Sequence, residues 1–258
     1  MPLEDDFCDI IRKARWGQGL SVADTASAAG IGDLRLQALE AGQMPSAAEV
    51  DHLAEVLSLR AGPLRAIATG GAEPPPVATT SPYRVQAVFA HDVGAFAYAV
   101  HGPEGDFLVD CGGAVEDLVR SLGRRPDGVL VTHGHHDHVG GLGALPTGVP
   151  VYAHPELAGR ISGAKALEDG ARVFGLTVRH APGHSGDMLA FVGEGATFVG
   201  DTIFAGSLGR AQSPESYPVL LETARRLLTA PDDTRLYCGH GPVTTVGWER
   251  GHNAFPIA

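Results

Sequence analysis

Residues 129–142 read VLVTHGHHDHVGGL, which places His133, His135, His136, Asp137 and His138 in one short window directly after an apolar run. A core cannot absorb four imidazoles and a carboxylate at that density, because each buried polar group needs its own partner. Val129-Leu130-Val131 has the composition of a buried strand. The polar cluster therefore begins where the strand ends, and strand ends are where α/β folds place their sites. In an extended turn, His133 and His135 project to the same side and can share one metal ion, while Asp137 and His138 turn toward a second. Imidazole and carboxylate are ligands that zinc, iron or manganese accept while leaving positions open for water. The Gly140-Gly141 pair suits a close approach of backbone to such a site.

Three later stretches repeat the form of an apolar strand ending in a polar residue beside glycine. They are HAPGHSGD with His184, TFVGDTIF with Asp201, and LYCGHGP with His240. Together with the T-H-x-H-x-D-H run of Thr132, His133, His135, Asp137 and His138, they resemble the metallo-β-lactamase superfamily. Within it they are most similar to the glyoxalase II-like hydrolases, from about Val85 onward. The resemblance implies an α/β fold, an αββα sandwich with the site at one edge of two sheets. It assigns His133, His135 and His184 to one metal ion, Asp137, His138 and His240 to a second, and Asp201 to both. It further implies a hydroxide bridging two divalent ions, most simply zinc with iron or manganese as alternatives, that attacks a small thioester or ester. Asp137 would orient that nucleophile while ligating, as the catalytic residue of the set.

Other polar residues are read differently. His136 is the variable position of the motif and is expected to point away. His154 and His180 match no ligand position and are expected to pack nearby, and His52, His91, His101 and His252 have no supporting context. Asp110, closing the run FLVDCGG, is placed to orient a ligand imidazole. Cys111 and Cys238 read as small buried residues. In GDTIFAGSLGR, Arg210 matches a basic residue that contacts the substrate's glutathione part in the family. Departures from the family are also visible: the tyrosine usual after the last ligand is replaced in His240-Gly241-Pro242, and the acidic residue usual after Gly209-Arg210 by Ala211-Gln212. The sequence ends soon after TTVGWERGHNAF, so the family's C-terminal helical domain is not expected. A second enzyme reading is a mononuclear-iron persulfide dioxygenase using His133, His184 and Asp201.

The stretch 69–82, TGGAEPPPVATTSP, reads as a stiff linker between residues 1–68 and 83–258. In the first segment apolar residues recur at helical spacing. Ser21 is a suitable N-cap and Gly30 a suitable left-handed terminator. Between Gly19 and Leu59, the matching positions Leu20-Ser21, Ala26, Gly30-Ile31, Leu36, Leu39-Glu40, Gly42, Pro45-Ser46, Leu53-Ala54 and Leu57 resemble the phage-repressor type of helix-turn-helix. That resemblance implies an all-α unit and DNA as a candidate partner, with Arg35 and Gln37 as base readers. A DNA-binding regulator with a metal-binding sensor domain follows as a third reading. The segment carries six Lys/Arg against ten Asp/Glu, the wrong balance for phosphate neutralisation.

The whole chain has a net charge of −11, which argues against nonspecific attraction to nucleic acid or anionic membranes. No apolar run reaches the length of a membrane span. The acidic start MPLEDDFCDI lacks the features of a signal peptide, so a cytoplasmic protein is expected. Three scattered cysteines suggest no disulfide framework. A homodimer is compatible with these features.

Overall fold

A computed structural model describes residues 1–76 and 80–257. Five helices come first: α1 (Phe7–Gly17), α2 (Val22–Ala28), α3 (Asp33–Glu40), α4 (Ala47–Val56) and α5 (Ala61–Ala68). Their ends follow local chemistry. Asp6 and Ser46 form capping boxes with Asp9 and Glu49, Ser21 accepts from the Asp24 N–H, and Gly30 turns the chain after α2 at φ +68°. Arg35 of α3, expected as a base reader, is instead committed to Glu49 by a two-pronged ion pair. Residues 69–76 and 80–83 form no helix or strand; positions 77–79 of the expected linker lie outside the described residues.

The remaining chain alternates strands and helices. The strands are β1 (Arg84–Ala90), β2 (Ala95–Gly102), β3 (Gly105–Val109), β4 (Gly128–Leu130), β5 (Val151–Ala153), β6 (Lys165–Ala166), β7 (Arg172–Val173), β8 (Leu176–His180), β9 (Leu189–Gly193), β10 (Ala196–Gly200), β11 (Ile203–Phe204), β12 (Ser207–Leu208), β13 (Arg235–Cys238) and β14 (Thr244–Thr245). The helices are α6 (Val115–Leu122), α7 (His136–Val139), α8 (Pro155–Ala158), α9 (Tyr217–Leu227) and α10 (Val246–His252). One sheet runs β1-β2-β3-β4-β5-β6 and the other β14-β13-β10-β9-β8-β7, with β11-β12 a separate hairpin. β1 to β3 pair antiparallel, and β3 to β6 pair parallel.

Strand alternation explains the layering. Tyr98 and Val100 of β2 face inward with Phe107, Leu130, Val178, Phe191, Phe198 and Tyr237, filling the space between the sheets. Ala97 and Ala99 of the same strand face outward with Leu108 and Val129, under Leu118 and Leu122 of α6 and Leu157 of α8. The second sheet's outer face presents Ala190, Val199 and Leu236 to Leu220, Ala224 and Leu227 of α9. The order is helix, sheet, sheet, helix, the αββα sandwich expected. Each large inward side chain contributes about 1.5–3 kcal/mol by burial.

The same outer cluster continues without a break into α1 to α5. Phe7, Ile10, Ile11 and Ala14 of α1 share it with Ile203, Phe204, Leu208, Tyr217 and Phe255. No helix among the described residues is long and apolar enough to cross a membrane.

Candidate metal centre

Four strand ends and one short helix converge at one edge of the sandwich. His133 and His135 follow β4, His138 and Asp137 lie in α7, His184 follows β8, and Asp201 and His240 follow β10 and β13. Three imidazole nitrogens meet in the first group: His135 Nδ1 is 2.9 Å from His133 Nε2 and 3.0 Å from His184 Nε2. Asp201 Oδ2 lies 3.4 Å from His184 Nε2 and 4.0 Å from His133 Nε2. In the second group, Asp137 Oδ2 is 3.2 Å from His240 Nε2 and 3.7 Å from His138 Nε2. Asp201 reaches this group too, with Oδ1 3.3 Å from His138 Nε2 and Oδ2 3.5 Å from His240 Nε2. All seven residues read as ligands from the sequence are thus brought together, in two sets that could each hold a metal ion and with Asp201 between them.

The outward-facing nitrogens decide what the inward-facing ones can do. His184 Nδ1 donates to the Arg210 carbonyl at 2.8 Å, and His240 Nδ1 donates to the Gly94 carbonyl at 2.9 Å. His138 Nδ1 donates to Asp110 Oδ2 at 2.7 Å. Thr132 Oγ1 gives its proton to Asp110 Oδ2 at 2.8 Å and receives that of His133 Nδ1 at 3.1 Å. Each of these four rings therefore turns Nε2 inward, where a cation can take the place of any proton it carries, and outer partners of this kind fix a ligand's tautomer. His138 Nε2 and Asp201 Oδ1 are buried and have no hydrogen-bond partner. Lone pairs crowded together in a buried space repel unless a cation lies between them, so the donor set fits divalent ions.

The electrostatics agree. Burial alone would push the Asp201 carboxyl up, but the surrounding imidazoles, His138 foremost, outweigh it and hold it well below the carboxylate range. Burial also disfavours a charged His138, yet Asp201 and Asp110 together reverse the shift and hold that ring well above the histidine range. A field that would keep a proton there would also keep a metal cation. His133, by contrast, is driven down by burial and by its neighbouring rings, so it is neutral and ready to ligate. The His240 hydrogen bond holds Asp137 down at about 2.

Asp110 does more than its sequence position suggests. It accepts from the Thr132 N–H at 2.7 Å as well as from Thr132 Oγ1 and His138 Nδ1, so it orients one ring of each group. It does so from a left-handed backbone, φ +60°, at the turn after β3. Glycines make the cradle. A Cβ on Gly239 would stand 2.1 Å from Asp201 Oδ1 and 2.6 Å from His138 Cε1, and one on Gly112 would stand 1.6 Å from the Asp137 carbonyl. Nothing in the sequence distinguishes these two from ordinary turn glycines.

The remaining expectations also find their places. The His136 ring lies over Gly140, away from the seven. His154 and His180 stack on each other at 4.9 Å, and His180 Nε2 donates to the Gly186 carbonyl in the loop carrying His184. Cys111 and Cys238 are buried, and burial pushes the Cys111 thiol up to about 12. Arg210 is exposed beside the centre, with its guanidinium over the Trp16 ring at 5.4 Å.

The sequence profile of the Metallo-beta-lactamase superfamily matches residues 92–240, more than half of the chain. The chain belongs to the metallo-beta-lactamase superfamily. Among curated relatives, the hydroxyacylglutathione hydrolase of Aeromonas salmonicida is 37% identical over 146 residues, covering 52% of this chain and 56% of that protein. That of Alkalilimnicola ehrlichii is 37% identical over 144 residues, covering 52% and 55%. This member of the superfamily therefore spans just over half the length of the curated relatives it matches. Among solved structures, TTHA1623 in a di-iron-bound form is 35% identical with a TM-score of 0.58, covering 67% of this chain and all of that one. The BLEG-1 B3 metallo-beta-lactamase is 27% identical with a TM-score of 0.60, covering 66% and 98%.

Proposed function

We propose that the protein is a two-metal hydrolase of small thioesters. The observation that carries this reading is the pair of ligand groups sharing Asp201. His133, His135 and His184 would hold one divalent ion, Asp137, His138 and His240 the other, and Asp201 both. When bound, two such ions, zinc or iron by the imidazole-rich donor set, supply a water-derived nucleophile at neutral pH and charge compensation for a carbonyl oxygen. The chain's own residues do the rest. Asp137, held ionised by His240, remains an acceptor throughout the neutral range and can orient a water lying between the two groups. Asp110 keeps His138 and, through Thr132, His133 in the tautomers that ligation needs. The exposed Arg210 offers a cation at the rim for the non-reacting part of a substrate.

A thioester suits this site because its leaving thiol ionises near pH 8.5 and departs without help from an acid. The similarity to hydroxyacylglutathione hydrolases supports the same class. The test is thiol release from a panel of glutathione and other small thioesters by protein loaded with zinc or with iron, with matched oxygen esters as comparison. Turnover of a thioester, lost together with metal in Asp201→Ala, is the expected result. One iron per chain with oxygen consumption on a persulfide, and no thiol release, would replace this reading with the dioxygenase.

A further inference from the structure

The superfamily match begins at residue 92, yet residues of the first helical segment touch three of the stretches that carry ligands. At the first, the Glu4 backbone and Cβ pack on Gly241, where a side-chain Cβ would meet Glu4 N and Cβ at 3.0 Å. Gly241 is left-handed there, φ +71°, and directly follows His240. Glu4 takes up the space beside Gly241. Glu4 Oε1 then lies 4.0 Å from His240 Nδ1, on the side of the ring turned away from the metal groups.

The second contact falls on the hairpin after Asp201. Asp5, almost wholly buried, accepts from Lys13 Nζ and from Ser207 Oγ, and Lys13 also donates to the Leu208 carbonyl at 2.9 Å. Lys13 Nζ sits 4.8 Å from the ring centre of Phe204, which stands roughly perpendicular to the His240 ring with centres 5.5 Å apart. The third contact falls on the segment that aims His184. Trp16 carries the Arg210 guanidinium on its face, and Arg210 supplies the carbonyl to which His184 Nδ1 donates. Two residues on, the Gln212 N–H donates to the Gly183 carbonyl at 2.8 Å. Gly17, next to Trp16, presses so closely on Tyr217 that a Cβ would stand 2.5 Å from the ring.

We propose that the start of the chain is a working part of the metal centre, with Glu4 a positioning residue for His240 and Trp16 one for the Arg210 segment that aims His184. The inference rests on His240 and His184 being ligands. Glu4 acts by charge: a carboxylate behind an imidazole makes the ring a stronger donor toward a cation. Trp16 acts by shape, as the flat face that keeps Arg210 and its carbonyl in place. The two residues thus act on different ions, Glu4 on the one held by His240 and Trp16 on the one held by His184.

The test uses the full-length protein and reads ion binding and backbone mobility. Zinc affinities come from competition with a chromophoric chelator, and stoichiometry from elemental analysis. In Glu4→Gln the expected change is a several-fold loss, up to about tenfold, in affinity for one of two zinc ions at low salt. That loss shrinks in about 1 M salt, where the Debye length is about 3 Å. In Trp16→Ala the other ion weakens, and hydrogen exchange rises at 183–186 and 209–212 in the metal-free protein; Trp16→Phe restores both. Unchanged zinc affinity in Glu4→Gln, or a loss indifferent to salt, would overturn the role of Glu4. Exchange that rises evenly over α1 to α5, or fails to rise at 183–186, would overturn that of Trp16. The unaltered protein is titrated first, so a single zinc site there counts against the two-ion reading alone. The metal-free exchange data then still decide whether Trp16 steadies the His184 loop.

Discussion

Replacing Asp110 by Asn exchanges one carboxylate oxygen for an NH2 and should disturb both ligand groups. Asn tolerates the left-handed backbone about as well as Asp, so the φ of +60° adds no strain of its own. In the present network Asp110 receives three protons, from Thr132 N, Thr132 Oγ1 and His138 Nδ1. An asparagine that keeps its oxygen toward Thr132 N turns an NH2 toward the other two. His138 can accept that hydrogen only by moving its own proton to Nε2, the atom that faces Asp201. Thr132 Oγ1 becomes an acceptor in the same way, and its proton turns toward His133 Nδ1, which shifts that ring's proton inward as well. Restoring the ligating tautomers then leaves at least one buried donor facing another, at about 1–3 kcal/mol. Since about 1.4 kcal/mol is a factor of ten, ion affinity should fall about 10–100-fold, the range typical of lost outer partners. The metal-free protein can rearrange its tautomers and should keep a melting temperature close to that of the parent. Chelator competition measures the first quantity and thermal unfolding in chelator the second. Parental zinc affinity in Asp110→Asn would refute the tautomer argument, and so would a loss of affinity explained by global unfolding.

Three further outcomes follow from other parts of the structure. Gly239→Ala puts a methyl into the space between Asp201 and His138, so bound metal should drop to one ion or none by elemental analysis while the circular dichroism spectrum is kept. His136→Ala should leave metal content and turnover within about twofold of the parent, because that ring lies over Gly140 outside both groups; loss of an ion would mean the ligand set is misassigned. The third concerns Glu249, wholly buried, where burial pushes the carboxyl up to about 8 against the pull of Thr244, Asn253 and the Gly206 N–H. A folded-state value above the unfolded one contributes stability that is fully present below about pH 4.5 and is lost as pH rises through about 8. Urea unfolding of the parent should therefore show a decline over that window, by up to about 1.4 kcal/mol per pH unit, that Glu249→Gln flattens. Parallel profiles for the two proteins would show that Glu249 is ionised in the fold.

The sheet strands are legible in the sequence wherever they are long. YRVQAVFA (83–90), AFAYAVHG (95–102) and ATFVGD (196–201) carry apolar and β-branched residues at strand length, and they form β1, β2 and β10. The two-residue strands β6, β7, β11, β12 and β14 carry no such signal, since pairing partners rather than composition make them strands. Helix α10 is equally hard to read: Gly247 and Gly251 dilute its helical pattern, while the Thr245 cap and the buried Val246 and Trp248 sustain it.

At the site, the residue types and their spacing pointed to metal-ligating side chains. Imidazole and carboxylate at strand ends suggested a metal site, and the resemblance to the metallo-β-lactamase superfamily named the seven converging residues, with Asp110 read as lying behind them. What tertiary structure alone decided is how they are held. That Asp110 governs His133 through Thr132, that Gly239 leaves the gap beside Asp201, and that Glu4 and Trp16 reach the centre from the start of the chain all depend on contacts between residues far apart in sequence. Such contacts leave no periodicity or motif, because short-range order records only what neighbours in sequence need from one another.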